Sequence, residues 1–448
     1  MSTPPVWIRD PLAILAEGAA RGVVVRDGRI VECVPAGASP ATEDVAVFDA
    51  GAHVVIPGLI NTHHHFYQTL TRSSPAALDR ELFGWLVALY PIWAKLTPRA
   101  LESAVTVAMA ELLLSGCTTT TDHHYVFPPG LEQAIDIEVA VARRLGIRGV
   151  FTRGSMNLSQ RDGGLPPDSV VQDEDTILAE SARLIDAHHD PRPHAQIQIA
   201  LAPCSPFSVT RGLMRATAEL AAQRQVRLHT HLAETEDETA FCLSRFNRRP
   251  LDYLEEVGWL HDRVWLAHGV HFDAGEIARL ARAGVSVTHC PCSNQVLGSG
   301  HCPVCDMEAA GVRVGLGVDG SASNNASNLM QEVRAAFLLQ RHRYGVARVG
   351  HRDALRWATE GSAACIGRPE LGRIAPGAAA DLALFRVDDD LRFAGALDPL
   401  AALVLCGAHR ADRVMVGGRW VVEDGAIPGL DIAALVARQA AEAARLHA

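Results

Sequence analysis

The sequence predicts an α/β fold, a (β/α)8 TIM-like barrel carrying a small β domain built from both chain ends. Three observations predict it. Eight short apolar runs alternate with amphipathic stretches through the middle of the chain, which is the pattern of parallel βαβ units. Polar residues gather at the C-terminal ends of those runs, where a barrel carries its functional rim. Hairpin signals mark both termini, flanking this different middle.

The elements follow in chain order. Near the start, VVVRDGRIVEC places Asp27-Gly28 between two β-rich runs; both turn residues tolerate positive φ, so a hairpin is expected. Barrel strands are expected at 54–60, 118–122, 147–152, 197–202, 226–231, 264–268, 285–289 and 312–318. Helices are expected at 99–114, 131–145, 176–188, 211–223 and 274–283, with a weaker one at 251–257 and only a short turn after 289. DLALF (381–385) reads as a buried strand, and RVMVGGRWVVEDG gives a second hairpin around Gly417-Gly418. The two ends are expected to pair into one β domain, 1–56 with 372–430, around a barrel at 57–371, with a C-terminal helix at 431–448. An open doubly wound sheet is the alternative, but the chain lacks its Gly-rich nucleotide fingerprint.

With 448 residues, 48% hydrophobic and 21% charged, the chain can bury a large core. A net charge of -10 argues against nucleic-acid binding and against an anionic membrane surface. The MSTPPVWIRDP start has no basic-then-apolar leader, and no apolar run reaches the ~18 residues that span a bilayer. A soluble, cytoplasmic protein is expected, its ten cysteines reduced thiols.

The chemistry sits at the strand ends. PGLINTHHH puts His63 and His65 on one side of a strand, where two imidazoles can chelate one metal; His64 faces the other way. VRLHTHLAET repeats the alternation. His231, nearer the strand end, is the better ligand, and His229 lies deeper as a packed core histidine. Glu234 follows and can carry protons. VWLAHGVHF ends at His268, a weak signal alone. VRVGLGVDGSASNN ends at Asp319, whose carboxylate is costly there unless paired or metal-bound. Three imidazoles, one carboxylate and water describe an open catalytic site.

Together PGLINTHHH, HTHLAE, AHGV and GVDGSASN resemble the amidohydrolase superfamily in its mononuclear deaminase branch. The resemblance implies one divalent metal held by His63, His65, His231 and Asp319. It also implies that Asp319 takes part in activating water, that Glu234 shuttles a proton to ring nitrogen and leaving ammonia, and that His268 orients water and substrate. The terminal β segments look like that family's composite β-sandwich. No lysine stands at a strand end, which favours one metal over two. The N/O ligand set favours Zn2+, although such sites also accept Fe2+. A homo-oligomer is expected, as among such relatives.

HHHFYQTLTRSSPAALDRELFGWLVALYPIW with GCTTTTDHHYVFP is similar to the 8-oxoguanine deaminases, implying hydrolysis of the exocyclic amine of 8-oxoguanine to give urate and ammonia. Guanine or isocytosine-like rings and triazines are alternatives; a non-catalytic scaffold is disfavoured because all four ligands and Glu234 are present. Gln68 offers an amide to a lactam edge. Trp85, in the following loop, can stack on a flat ring. Arg153 can meet a ring oxygen or anionic tautomer, and Cys204 gives a small wall. Cys290, Cys292, Cys302 and Cys305 imitate a zinc motif but are expected in a rim loop, with Asn294 near substrate. His123 and His124 invite a second-metal reading; an inward His123 is expected behind the ligands.

Overall fold

Eight parallel strands stand side by side in chain order in the computed structural model, which describes residues 4–448: Leu59–Asn61, Cys117–His124, Arg148–Ser155, Ile197–Pro203, Leu228–Leu232, Val264–His268, Ser286–His289 and Val314–Leu316. The first and eighth meet where Thr62 N–H donates to the Leu316 carbonyl at 3.0 Å. Just beyond, His64–His65 pairs in parallel with Asp319–Gly320, so the (β/α)8 barrel closes at the residues of interest. Every residue of these eight strands is buried except Gln198, as expected of strands covered on both faces.

One strand differs from the expectation at 54–60. His53–Pro57 pairs antiparallel with Leu382–Arg386 in the terminal sheet, and only Leu59–Asn61 joins the barrel. Pro57 lacks a ladder donor, and Gly58 lies so close to the next strand that a Cβ would fall 2.2 Å from Thr118 Oγ1. The chain therefore changes sheets there.

Both ends build the flanking sheets. One has four strands, Val6–Arg9, Gly22–Arg26, Arg29–Cys33 and Ala46–Asp49. The other has five, Ala13–Ile14, His53–Pro57, Leu382–Arg386, Arg413–Val416 and Arg419–Val422. The hairpin turns are as read: Asp27 and Gly28 have φ of 50° and 78°, and Gly417 and Gly418 of 54° and 76°. A buried bidentate pair, Arg148 with Asp381 at 2.7 and 3.1 Å, ties the third barrel strand to this region.

The outer helices include Pro98–Leu114, Ala134–Leu145, Glu174–His188, Arg211–Arg224, Pro250–Glu256 and Ala274–Ala283. Further helices at Glu236–Phe246 and Leu329–Tyr344 had no assigned signal. Trp85 lies on a helix, Leu82–Trp93, rather than in a loop; its run of large apolar residues lacks a polar face. The C-terminal helix Ile432–His447 reaches the site's supports, since Gln439 Nε2 donates to Thr69 Oγ1 at 3.0 Å. Among the described residues no helix is long and apolar enough to cross a membrane.

Candidate active site

Strand ends from opposite sides of the closure bring His63, His65, His231 and Asp319 together. His65 Nε2 lies 3.2 Å from both His231 Nε2 and Asp319 Oδ1, and His63 Nε2 lies 3.3 Å from the same oxygen. The hydrogen bonds behind the rings fix what these atoms are. A carbonyl only accepts, so His65 Nδ1–H donates to the His123 carbonyl and His231 Nδ1–H to the Cys204 carbonyl, each at 2.7 Å. With Nδ1–H engaged in this way, each ring turns its Nε2 inward.

His63 is set by a relay. His229 Nδ1–H donates to the Trp265 carbonyl at 2.8 Å, so its Nε2 must accept from His63 Nδ1–H, also at 2.8 Å. His229 is the deep core histidine expected, stacked on Trp265 at 4.4 Å, and it also orients a candidate ligand. His63 Nε2 is buried with no hydrogen-bond partner. Burial holds His63 and His231 well below the ordinary histidine pKa, despite the nearby Asp319 carboxylate.

Three lone pairs and a carboxylate oxygen this close repel one another unless a cation lies between them. A tetrahedral shell with bonds of about 2.0–2.1 Å has edges of about 3.3 Å, and the observed separations match. The donor set fits one divalent metal. His64 points away and lies 3.0 Å from Ser327 Oγ.

Glu234 and His268 stand at the edge of this cluster, with His268 Nε2 at 3.4 Å from Glu234 Oε2 and 3.9 Å from Asp319 Oδ2. Burial, then the charges of Asp319 and Glu238, push the Glu234 carboxyl well above its ordinary value. Glu234 therefore holds its proton to higher pH than an ordinary glutamate. His268 Nδ1 is 2.9 Å from Asn294 Oδ1, and Ser293 Oγ–H donates to Asp319 Oδ2 at 2.6 Å. The residues CSN after the seventh strand therefore brace the chemistry: Asn294 touches His268 rather than facing the cavity. His268 and Asp319 adopt φ of 73° and 60°, a left-handed conformation uncommon for such residues and often found at functional sites.

A pocket opens above these groups. Gln68, Trp85 and Cys204 line it. Both amide atoms of Gln68 are buried without a partner. Gly320 makes its room, since a Cβ there would fall 1.7 Å from Gln68 Oε1. Trp85 Nε1–H donates to the Ala322 carbonyl at 3.3 Å. Burial pushes the Cys204 thiol up to about 12, so it stays protonated and serves as a wall.

Arg153 does not reach the cavity. Its guanidinium donates to the Gly154 carbonyl and to Gln172 Oε1, and lies 4.1 Å from the Phe127 ring centre. It sits beside that ring because it alternates away from the barrel interior. Conversely, Tyr125, Phe207 and Leu297 line the cavity without having been singled out; the YVFP and CSPF loops give no periodic signal. His123 lies behind the ligands as expected, stacked on His231 at 4.7 Å with its Nε2–H donating to the Ala202 carbonyl. Cys302 and Cys305 pack in the main core. Among the described residues, no cluster of potential ligand atoms includes a cysteine.

Comparison with known proteins agrees with this arrangement. The model of the Amidohydrolase family matches residues 54–421. The chain is 60% identical over 99% of its length to 8-oxoguanine deaminase from Pseudomonas aeruginosa strain PAO1, covering 99% of that protein. It is 38% identical to hydroxydechloroatrazine ethylaminohydrolase from Pseudomonas sp. strain ADP, over 91% of this chain and 88% of that one. The crystal structure of atrazine chlorohydrolase from Arthrobacter aurescens TC1 complexed with zinc superposes with a TM-score of 0.91 at 32% identity, covering 98% of this chain and 100% of that one.

Proposed function

The chain belongs to the amidohydrolase family, and from that premise we propose that it is a metal-dependent hydrolytic deaminase converting 8-oxoguanine and water to urate and ammonia. The observation that carries the chemistry is the buried Glu234, 3.4 Å from His268, at the edge of the His63, His65, His231 and Asp319 cluster. The substrate follows from the 60% identity to 8-oxoguanine deaminase, which spans both chains almost completely.

The metal, when bound, supplies Lewis acidity that makes water a nucleophile near neutral pH. Zinc is the ion we assign, on the tetrahedral N/O donor spacing and on the zinc in the related chlorohydrolase structure. The chain's own groups then move the protons. Asp319 takes the proton released as oxygen bonds to the amine-bearing ring carbon. Glu234 gives its proton to the adjacent ring nitrogen. The ring nitrogen keeps that proton; as the C–N bond breaks, the proton held by Asp319 passes to the amine, which leaves as ammonia, and the proton of the new hydroxyl returns to Glu234 as a carbonyl remains. His268, neutral and held by Asn294, fixes the position of the attacked carbon's substituents.

Recognition rests on Gln68, whose free amide can donate and accept along a lactam edge, and on Trp85 and Phe207, aromatic side chains of the pocket lining that can pack on a flat ring. All ten cysteines are unpaired, which suits the reducing cytoplasm. The test is ammonia release by the zinc-loaded protein across aminopurines, pterins, pyrimidines and triazines. Preference for 8-oxoguanine supports the reading; a triazine preferred over every purine rejects the substrate assignment while keeping the reaction class.

A further inference from the structure

On the far side of the second barrel strand, away from the cavity, three titratable side chains are buried together. Asp122 and His124 alternate to the same face, opposite to His123, and helix Ala134–Leu145 brings Glu138 against them. All three are 0% exposed. His124 Nε2–H donates to the Val126 carbonyl at 2.8 Å, so its Nδ1 is a lone pair, and it faces Glu138 Oε1 at 3.3 Å. Asp122 Oδ2 and both Glu138 oxygens have no donor from elsewhere in the protein.

Neighbouring buried carboxyls cannot both ionise without a counter-charge. Burial pushes Glu138 up to about 8 and Asp122 well above its ordinary value. As neutral acids the two complete a chain, Asp122 donating to Glu138 and Glu138 to the His124 lone pair. That chain leaves Asp122 Oδ1 free to accept, and it accepts from Phe66 N–H at 2.7 Å.

Phe66 is the residue after His65, and it begins the short 3-10 turn Phe66–Thr71 that carries Gln68. The residue at that turn's N-terminal boundary, His65, makes no side-chain cap bond, so a remote carboxyl supplies the acceptor such a terminus needs. His65 itself is gripped one residue along, through its Nδ1–H to the His123 carbonyl. The second strand therefore holds this segment at two adjacent points.

We propose that Asp122, backed by Glu138 and His124, is a positioning residue that fixes the angle at which His65 presents Nε2 to the metal. The proposal rests on His65 being a metal ligand, so the His65→Ala variant is measured alongside.

The experiment uses the full chain loaded with cobalt(II), recording the visible ligand-field spectrum, the rate of metal loss to a chelator and the metal content. Asp122→Ala should shift the spectrum and speed metal loss about tenfold or more. Asp122→Asn, whose amide oxygen still accepts from Phe66 N–H and whose NH2 still donates to Glu138, should restore both. If Asp122→Ala does not fold, Asp122→Glu, which displaces the carboxyl by one methylene, should show the same changes in smaller measure. A wild-type spectrum and release rate in Asp122→Ala, or in Asp122→Glu in its place, or no rescue by Asn, overturns the proposal. So do two cobalt ions per wild-type chain falling to one in Glu138→Gln, because the cluster would then be holding a cation. Unchanged metal binding in His65→Ala would instead refute the ligand assignment.

Discussion

His229 Nε2 lies 2.8 Å from His63 Nδ1, so the first histidine of the HTH triplet steers a ligand donated by a strand 166 residues earlier. The second histidine of the triplet, His231, faces the metal cluster itself. Alternation along one strand thus supplies both a ligand and the support of another.

His229→Ala should weaken metal binding about 10- to 100-fold, the usual cost of removing a hydrogen-bond partner behind a metal-binding histidine. Competition against a chromogenic chelator measures it. Unchanged affinity would mean that His63 holds its orientation through packing alone.

Glu234→Gln keeps the size and removes the transferable proton. Metal content should match wild type while turnover falls about 100- to 10,000-fold. Elemental analysis beside an ammonia assay separates the two. Substantial turnover in a fully loaded variant would remove Glu234 from the proton path.

Gln68→Ala should raise KM by up to about tenfold, since a net hydrogen bond contributes about 1 kcal/mol, and should leave the metal in place. Gly320→Ala should do the same by displacing the amide that now lies where its methyl would go. Steady-state kinetics on both variants would contradict the assignment if KM were unaffected.

How far these residues were legible in the sequence depended on local chemistry. Alternating histidines and the Asp at the end of an apolar strand marked the metal cluster, because their cost in such places demands a reason. The barrel was legible from eight apolar runs. The switch of sheets at Pro57-Gly58 was hidden, since the run continues apolar through it. Arg153 misled because a strand-end position was read without its side; only neighbours fix that a guanidinium turns to Phe127 and Gln172. Asp122 and Glu138 were silent because their partnership joins a strand to a helix that approaches it only in the folded chain.

Stability should depend on pH through Glu138. The folded protein retains this proton up to about 8, against an ordinary value of 4.5. The stabilisation is full below 4.5 and is lost as pH rises towards about 8, because the unfolded chain releases the proton earlier. Glu238 and Glu332, each pushed up to about 7 by burial, act with the same sign. Glu138→Gln should therefore lose less Tm than wild type across this range. Thermal unfolding at several pH values checks it; an equal or steeper decline would contradict a buried neutral Glu138.

The most direct measurement is ammonia release from 8-oxoguanine as zinc is titrated into metal-free protein. Activity should be absent at the start, rise linearly and level off at one equivalent per chain. Ammonia release that is indifferent to zinc, or that keeps rising to two equivalents, would contradict a single cation held by His63, His65, His231 and Asp319.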